Sequence, residues 1–433
     1  MAKKSGDVQS ICVFEDEGYE GLLPLTFMRP TWGLRCGMTV LLEKILRAFS
    51  QRPFTLHCRS HLADTVRSAA LASAINRIPD SESCLFINGR VLAGPDLAKK
   101  VSIREDDFVL QSGNSIVAAK LSEGKLEYLK RSMDHPLSMT DFEPLKLDVI
   151  FKETDIELIN HPWDLVRNNK SQISADFSGL IKGGSVKGDV HSGVYIYDRD
   201  KVFIESDSEI MATAVLDARG GPIYIGRGAK VLPHSRIEGP AYIGDRTKVL
   251  GANIREGSSI GPLCKIGGEI EETVIQGYTN KQHYGFIGHS YICEWVNLGA
   301  GTTNSDLKNN YGSIRVWTGK GSVDTGLNFV GCFIGDHSKT GIGTLINTGS
   351  VVGVGCNVFG GGIQPKYIPS FSWGGESGMT EHRLEEAVET ARVVMARRGV
   401  EMTSSDEMLL RKIFDDTRSD RTARASRAAA NEI

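Results

Sequence analysis

The chain lacks any apolar run near the ~20 residues that a helix needs to cross a bilayer, so no membrane span is expected. It has no Cys-x-x-Cys pair. Its eight cysteines, at 12, 36, 58, 84, 264, 293, 332 and 356, are scattered, which argues against a zinc or redox motif and for reduced, buried thiols. It has almost no net charge: a formal −3 gives no reason to expect a nucleic-acid partner. The opening residues MAKKSGDVQS are followed by no apolar h-region, so no secretory signal is expected and a cytoplasmic location is.

What is present is a beat of six. Aliphatic residues return every six positions at Ile204, Ile210 and Leu216, then at Ile225, Val231, Ile237, Ile243 and Val249. The beat resumes out of step at Ile254, Ile260 and Ile266 and closes at Ile334, Thr340, Ile346, Val352 and Val358. A period of six is neither the 2 of a half-buried strand nor the 3.6 of an amphipathic helix. It is the period of a hexapeptide repeat, each repeat forming one flat face of a parallel β-helix. Of the 48 glycines, 30 lie between positions 220 and 362, many directly after the aliphatic, where a tight corner is needed. A β-sandwich would alternate instead. The β-helix is expected over 204–368.

A chain of 433 residues exceeds what one core usually serves. Residues 11–14, 54–57, 84–87, 108–110 and 115–119 read as strands, with helices expected over 38–49 and 62–76. This alternation predicts an α/β domain over 1–170, with a parallel or mixed sheet whose strand ends would carry any ligand. A short helix is expected to begin at Pro162, and 171–203 reads as a transition. Residues 369–433 read as a helical tail with a frayed end, with Ser404 or Ser405 as an N-cap.

The stretch from Cys264 to Tyr311, CKIGGEIEETVIQGYTNKQHYGFIGHSYICEWVNLGAGTTNSDLKNNY, resembles an alternative bacterial GlmU-like family. GlmU joins N-acetylglucosamine-1-phosphate uridyltransferase to glucosamine-1-phosphate N-acetyltransferase. The N-terminal LLPLTFMRPTWGLRCG is similar to the start of that group. The resemblance implies a Rossmann-like α/β nucleotidyltransferase domain, a left-handed β-helix acyltransferase and a homotrimer. It also implies acetyl-CoA, a sugar phosphate and a nucleoside triphosphate (UTP or dTTP) as substrates.

It assigns a base to His283, which stands before Asn297-Leu298-Gly299-Ala300-Gly301-Thr302 at the family's spacing; imidazole titrates near neutrality, as a general base must. The alternative is a surface histidine on a loop. Asn280 and Lys281 would hold the sugar phosphate, Lys281 by charge, or lie on a solvated face. Glu269, Glu271 and Glu272 would orient the amine, though not all three at once. Asn297 and Asn304 match substrate-contacting asparagines, with Asp306 competing for the second place. Gly299, Ala300 and Gly301 would admit the pantetheine arm, or would simply form a β-helix corner. The long insert after Thr303 breaks the beat, and such loops in β-helix acyltransferases reach a neighbouring subunit. Its Lys308, Arg315 and Lys320 would meet phosphates of coenzyme A or the sugar.

The first domain departs from the nucleotidyltransferase pattern. It has no G-x-G-T-R-M loop and no Gly-Asp pair for Mg²⁺. Arg29, Arg35, Lys44 and Asn88 remain as nucleotide-binding candidates, and Asp107 and Asp164 as possible metal carboxylates. Three readings stay open: a bifunctional enzyme, an enzyme with one active half, and a non-catalytic nucleotide-sugar sensor or scaffold.

Overall fold

The computed structural model describes residues 10–49, 52–69, 74–78, 81–101, 107–145, 150–151, 154–319 and 321–422. Lys320, part of the expected 62–76 helix and the last eleven positions lie outside them. The chain divides into two folded units. One comprises Met1–Leu34 with Thr39–Asn160, the other Arg35–Met38 with His161–Ile433.

The first unit is built on a six-stranded sheet in the order Phe54–Leu56, Ser10–Phe14, Ser83–Asn88, Ser115–Ser122, Phe108–Ser112, Ile150–Phe151. The first three strands are parallel. Ser115–Ser122 runs antiparallel to both of its neighbours, so the sheet is mixed. Its apolar side chains bury Cys12, Phe14, Phe86, Val109 and Leu121 beneath Phe142, whose ring meets Phe86 edge-on at 6.3 Å. The strand order reverses direction beside Ser10–Phe14, and the C-terminal ends of Ser10–Phe14 and Ser83–Asn88 come together there. That is where open α/β sheets bind ligands.

The second unit is the β-helix. The residues on the beat of six are its inward stack. Ile204, Ile225, Ile243 and Ile260 pair in successive coils, and so do Val231, Val249 and Ile266. All of these are fully buried in one continuous core. A coil of three hexapeptides is 18 residues, as from Ile225 to Ile243. Three faces result, with sheets of eleven, six and ten strands. Corners close because glycine admits the next coil: a Cβ on Gly244 would lie 2.6 Å from the carbonyl carbon of Gly261. The first coil begins at Ser185–Val186, inside the segment expected to be a transition, because its short apolar pairs already stack.

The helix expected to start at Pro162 does so but extends to Leu180. Its Ile173 and Phe177 bury with Met38 and Phe203. Residues Arg35–Met38 are tied to this unit through their backbone. Arg35 N–H donates to Tyr291 Oη at 2.9 Å, Gly37 N–H to Asn169 Oδ1 at 2.7 Å, and Met38 N–H to Asp176 Oδ2 at 2.9 Å. The chain ends in helices Leu384–Ala396 and Ser404–Asp416. The cap of the second is Thr403, whose hydroxyl accepts the Asp406 N–H, rather than Ser404 or Ser405.

The long insert separates paired positions by 42 residues, as at Ser290 and Cys332, where a regular coil would use about 18. It carries a hairpin, Arg315–Trp317 with Ser322–Asp324. Ile314, Val316 and Val330 are buried, and a Cβ on Gly349 would strike Ile314 at 2.7 Å. The root of the insert therefore packs on its own coil, and apolar burial explains why.

Candidate active site on the β-helix

Two corners of the same coils carry a histidine each. His283 lies on the corner between Asn280–Lys281 and Phe286–Gly288, and its side chain is exposed. Its neighbour Tyr284 lies against Gly301, where a Cβ would come 3.0 Å from the phenol oxygen. Asn280 and Asn297 are paired in register on the face leading into that corner; the Asn280 amide reaches Asn297 Oδ1 at 3.4 Å, and Arg398 donates to Asn280 Oδ1. Asn280 and Asn297 thus meet across neighbouring coils. Gly299 is explained by stacking alone, because a Cβ there would lie 2.6 Å from the Gly341 carbonyl carbon, and Gly301 has φ +75°. Lys308 donates to the Ser313 carbonyl and Arg315 to the Ser322 carbonyl, both within the insert.

His289 occupies the next corner, and sequence reasoning passed over it. Glu272, His289 and Asp306 follow one another at intervals of 17 residues, close to one coil, so they stack in a column. That constant spacing was the available signal. His289 and Asp306 meet at 2.8 Å between Nδ1 and Oδ2; Nε2 stands 3.5 Å from Glu272 Oε2, long for a hydrogen bond. Burial disfavours the imidazolium, but the bonds to Asp306 and Glu272 and their charges outweigh it, and the pKa rises to about 9. The nearby His289 in turn lowers that of Glu272 against the effect of its burial. Burial raises that of Glu271, although Arg255 Nη1 is 3.1 Å from its Oε2. Gly288 is required here: a Cβ would meet the Phe286 ring at 2.4 Å and Asp306 Oδ2 at 2.5 Å.

A cavity of about 440 Å³ opens beside this column, within the range of small-molecule sites. Its walls include Trp163 and Arg167 from the helix Pro162–Leu180, Glu271, Glu272 and His289 from the coils, and Phe329 from the end of the insert. The Phe329 ring stacks on His289 at 5.1 Å between centroids. Glu271 and Asp306 are thus brought to one site with His289, and Glu269 stands on the same strand as Glu271.

Several expected ligand residues are taken up by the fold. Lys281 is 1% exposed; its ammonium points into the coil and donates to the carbonyls of Gly267 (3.2 Å) and His283 (2.6 Å). It sits in register with inward Ile266, and burial lowers its pKa to about 8. It is neither a phosphate ligand nor a solvated face. Asn304 is also buried, bonding both the N–H and the carbonyl of Gly288, so it holds a corner rather than a substrate. Arg35 belongs to the β-helix unit, with its guanidinium on the Met38 carbonyl and 5.2 Å from the Tyr242 ring centre.

At the strand ends of the first unit, Asn88 donates to Asp16 Oδ2 at 2.9 Å and accepts from Arg90 N–H. Arg90 fills the crevice. Its guanidinium donates to both Asp16 carboxylate oxygens, the Ile159 carbonyl, Asn160 Oδ1 and Ser115 Oγ. Asn88 is therefore committed to this cluster and not open to a nucleotide. Lys44 is buried on the helix Leu41–Ala48, and Arg29 reaches the Leu25 carbonyl. Asp107 pairs with Lys125, and Asp164 accepts the His161 N–H at its helix start. Among the described residues no group of three His, Cys, Asp or Glu is placed to hold a metal.

Residues 11–185 match the family model described as sugar nucleotidyl transferase. Over 230 residues the chain is 27% identical to the bifunctional sugar-1-phosphate nucleotidylyltransferase/acetyltransferase of Sulfurisphaera tokodaii, covering 53% of this chain and 49% of that protein. Over 266 residues it is 25% identical to the bifunctional protein GlmU of Wolbachia pipientis, covering 60% and 58%. The chain thus spans about half the length of these curated relatives. Among solved structures, the UDP-N-acetylglucosamine acyltransferase of Francisella novicida aligns with 53% of this chain and 87% of its own, at 12% identity and a TM-score of 0.34. No helix among the described residues is long and apolar enough to cross a membrane. The chain is thus similar to sugar nucleotidyl transferases over residues 11–185, and to bifunctional nucleotidylyltransferase/acetyltransferase and GlmU proteins over about half its length.

Proposed function

We propose that this protein is a transferase of sugar-nucleotide synthesis. Its β-helix moves an acetyl group from acetyl-CoA to the amine of an amino-sugar phosphate such as glucosamine 1-phosphate. Its first unit couples a sugar 1-phosphate to UTP or dTTP with Mg²⁺, releasing pyrophosphate and giving a product like UDP-N-acetylglucosamine. The carrying observation is the succession of a nucleotidyl transferase match over 11–185 and a β-helix, in a chain similar to a protein named for both a nucleotidylyltransferase and an acetyltransferase. A cytoplasmic location goes with these co-substrates in this reading.

In the acetyl step the amine nitrogen attacks the thioester carbonyl. The C–S bond breaks, the amine proton passes to His283, and coenzyme A leaves as the thiol after its sulfur is protonated. The exposed corner of His283 would be completed by a second copy of the chain in a homotrimer, with Asn280, Asn297 and Gly299-Ala300-Gly301 beside it.

Incubation with acetyl-CoA, glucosamine 1-phosphate, UTP or dTTP and Mg²⁺, with free thiol and pyrophosphate read separately, tests both halves. His283→Ala should abolish thiol release while the oligomeric state is kept; an unchanged rate would sink the base assignment. One observation favours a second reading, in which only the β-helix is active: the crevice at the sheet's strand ends is filled by the Asp16–Arg90 pair. Thiol without pyrophosphate is the outcome that supports it.

A further inference from the structure

The long insert leaves its coil at Asp306 and returns at Val330, and His289 stands at that neck. The two strands of the neck are joined through their backbone. Val330 N–H donates to the Asp306 carbonyl at 2.9 Å, and Leu307 and Phe329 form an antiparallel bridge. The His289 side chain touches both strands. Its Nδ1 meets Asp306 Oδ2 on the outgoing strand at 2.8 Å, and its ring stacks on Phe329 of the returning strand at 5.1 Å between centroids. Its carbonyl accepts the Gly331 N–H at 2.8 Å, where the chain rejoins the coil.

A second anchor holds the far part of the insert. Ile314 and Val316 are buried, and the Trp317 ring lies 4.9 Å from that of Tyr367. Between the two anchors run Leu327, Asn328 and Phe329, which form one wall of the cavity. Phe329 is 49% exposed, so its ring gains little from the core and its stack on His289 carries much of its packing.

The charges around His289 make this hold depend on its proton. Asp306 faces the ring from the insert; Glu272, at 3.5 Å, and Glu271 face it from the coils. Lys170 on the helix Pro162–Leu180 stands 3.5 Å from Glu272, Arg255 stands 3.1 Å from Glu271, and Arg167 lines the cavity. Two of the three carboxylates thus have other cations, whereas among the described residues the cation paired with Asp306 is His289. An imidazolium draws Asp306 to the coil. A neutral ring leaves Asp306 and Glu272 facing each other with no positive charge between them, and like charges repel.

We propose that His289 is a proton-operated pin for the insert: its imidazolium clamps the neck, and loss of the proton frees the segment 327–329 to swing away from the cavity while the hairpin stays anchored. Burial disfavours the imidazolium, the bonds to Asp306 and Glu272 outweigh it, and the pKa is raised to about 9. The clamp is therefore in place at neutral pH and is lost as pH rises through about 9. This device goes beyond the acetyl-transfer reading and stands whether or not that reading does.

The test is pulsed hydrogen exchange of the full chain at about pH 7 and about pH 10, corrected for intrinsic exchange and read by mass spectrometry. In the wild type, protection of the neck, 327–331, should fall about tenfold or more between the two, as expected for one lost charge-assisted hydrogen bond. The coil strands Cys332–Ile334 and Ser350–Val352 should keep theirs. His289→Gln should show the weaker protection already at about pH 7, with no further step, and Asp306→Asn should do the same. Phe329→Ala, a change at an exposed ring, should lower neck protection about threefold at about pH 7 and keep the step. A wild-type neck that does not respond to pH, a step that survives His289→Gln or Asp306→Asn, an unchanged neck in Phe329→Ala, or an equal fall in the coil strands would each overturn the proposal. The wild-type comparison needs no variant, so it decides even if the buried substitutions do not fold.

Discussion

Two of the buried acid–base clusters among the described residues differ in what they leave unspent. At the strand ends of the first unit, Arg90 is 1% exposed and its guanidinium is shared among Asp16, Asn160, Ser115 and a backbone carbonyl. A Cβ on Gly18 would lie 2.3 Å from its guanidinium carbon. At the β-helix corner, the Glu272–His289–Asp306 column is also mostly buried, but one ring nitrogen has only a long contact and a cavity lies beside it. Buried charge alone therefore does not mark a site. Unsatisfied donor capacity facing open volume does.

The comparison breaks first on stability. Asp16→Ala leaves Arg90 buried without its counter-charge and should destabilise the first unit by about 3–5 kcal/mol. Denaturant melts followed in each unit should show only that unit shifting, and a loss below 1 kcal/mol would mean the pair is not the closed plug described. In the β-helix the corresponding effect depends on pH. The folded-state pKa of His289 is raised to about 9 from 6.5. Its stabilisation is therefore fully present below about pH 6.5 and lost as pH rises through about 9, amounting to at most about 3 kcal/mol. Asp306→Asn should remove most of that slope and move the His289 titration, read by NMR, toward neutrality.

A smaller effect sharpens the geometry. Gly288→Ala forces a Cβ into Asp306 Oδ2 and the Phe286 ring and should cost about 1–3 kcal/mol while separating Asp306 from His289. The His289 pKa should fall with it; a destabilised variant with an unchanged titration would show that the column does not depend on this close approach. The smallest effect belongs to Lys281, whose pKa is lowered to about 8 by burial. Its unfolded form binds more protons between about pH 8 and 10.5, so stability should rise with pH over that window. Lys281→Met should flatten this rise and at neutral pH gain about 1 kcal/mol or less, because an apolar chain of similar length needs no desolvated ammonium.

By itself the sequence determined the β-helix. Its signal is local and repeated: each aliphatic on the beat of six needs only the equivalent residue one coil away, so the pattern reports the fold without long-range information. It also indicated an α/β sheet in the first unit, parallel or mixed, and the start of the helix at Pro162, through strand periodicity and proline placement. It could not tell an outward lysine from an inward one at Lys281, because the coils between Ile260 and Ile292 run 15 and 17 residues instead of 18 and the beat loses its phase there. It named Glu271 and Asp306 by resemblance but not His289 between them. That column exists only when three coils stack, and its cavity only when the helix Pro162–Leu180 and the end of the insert close over it. Burial, partners and empty volume come from residues far apart in the chain. They set the charge on His289 and the plug at Arg90, and only the tertiary structure could decide them.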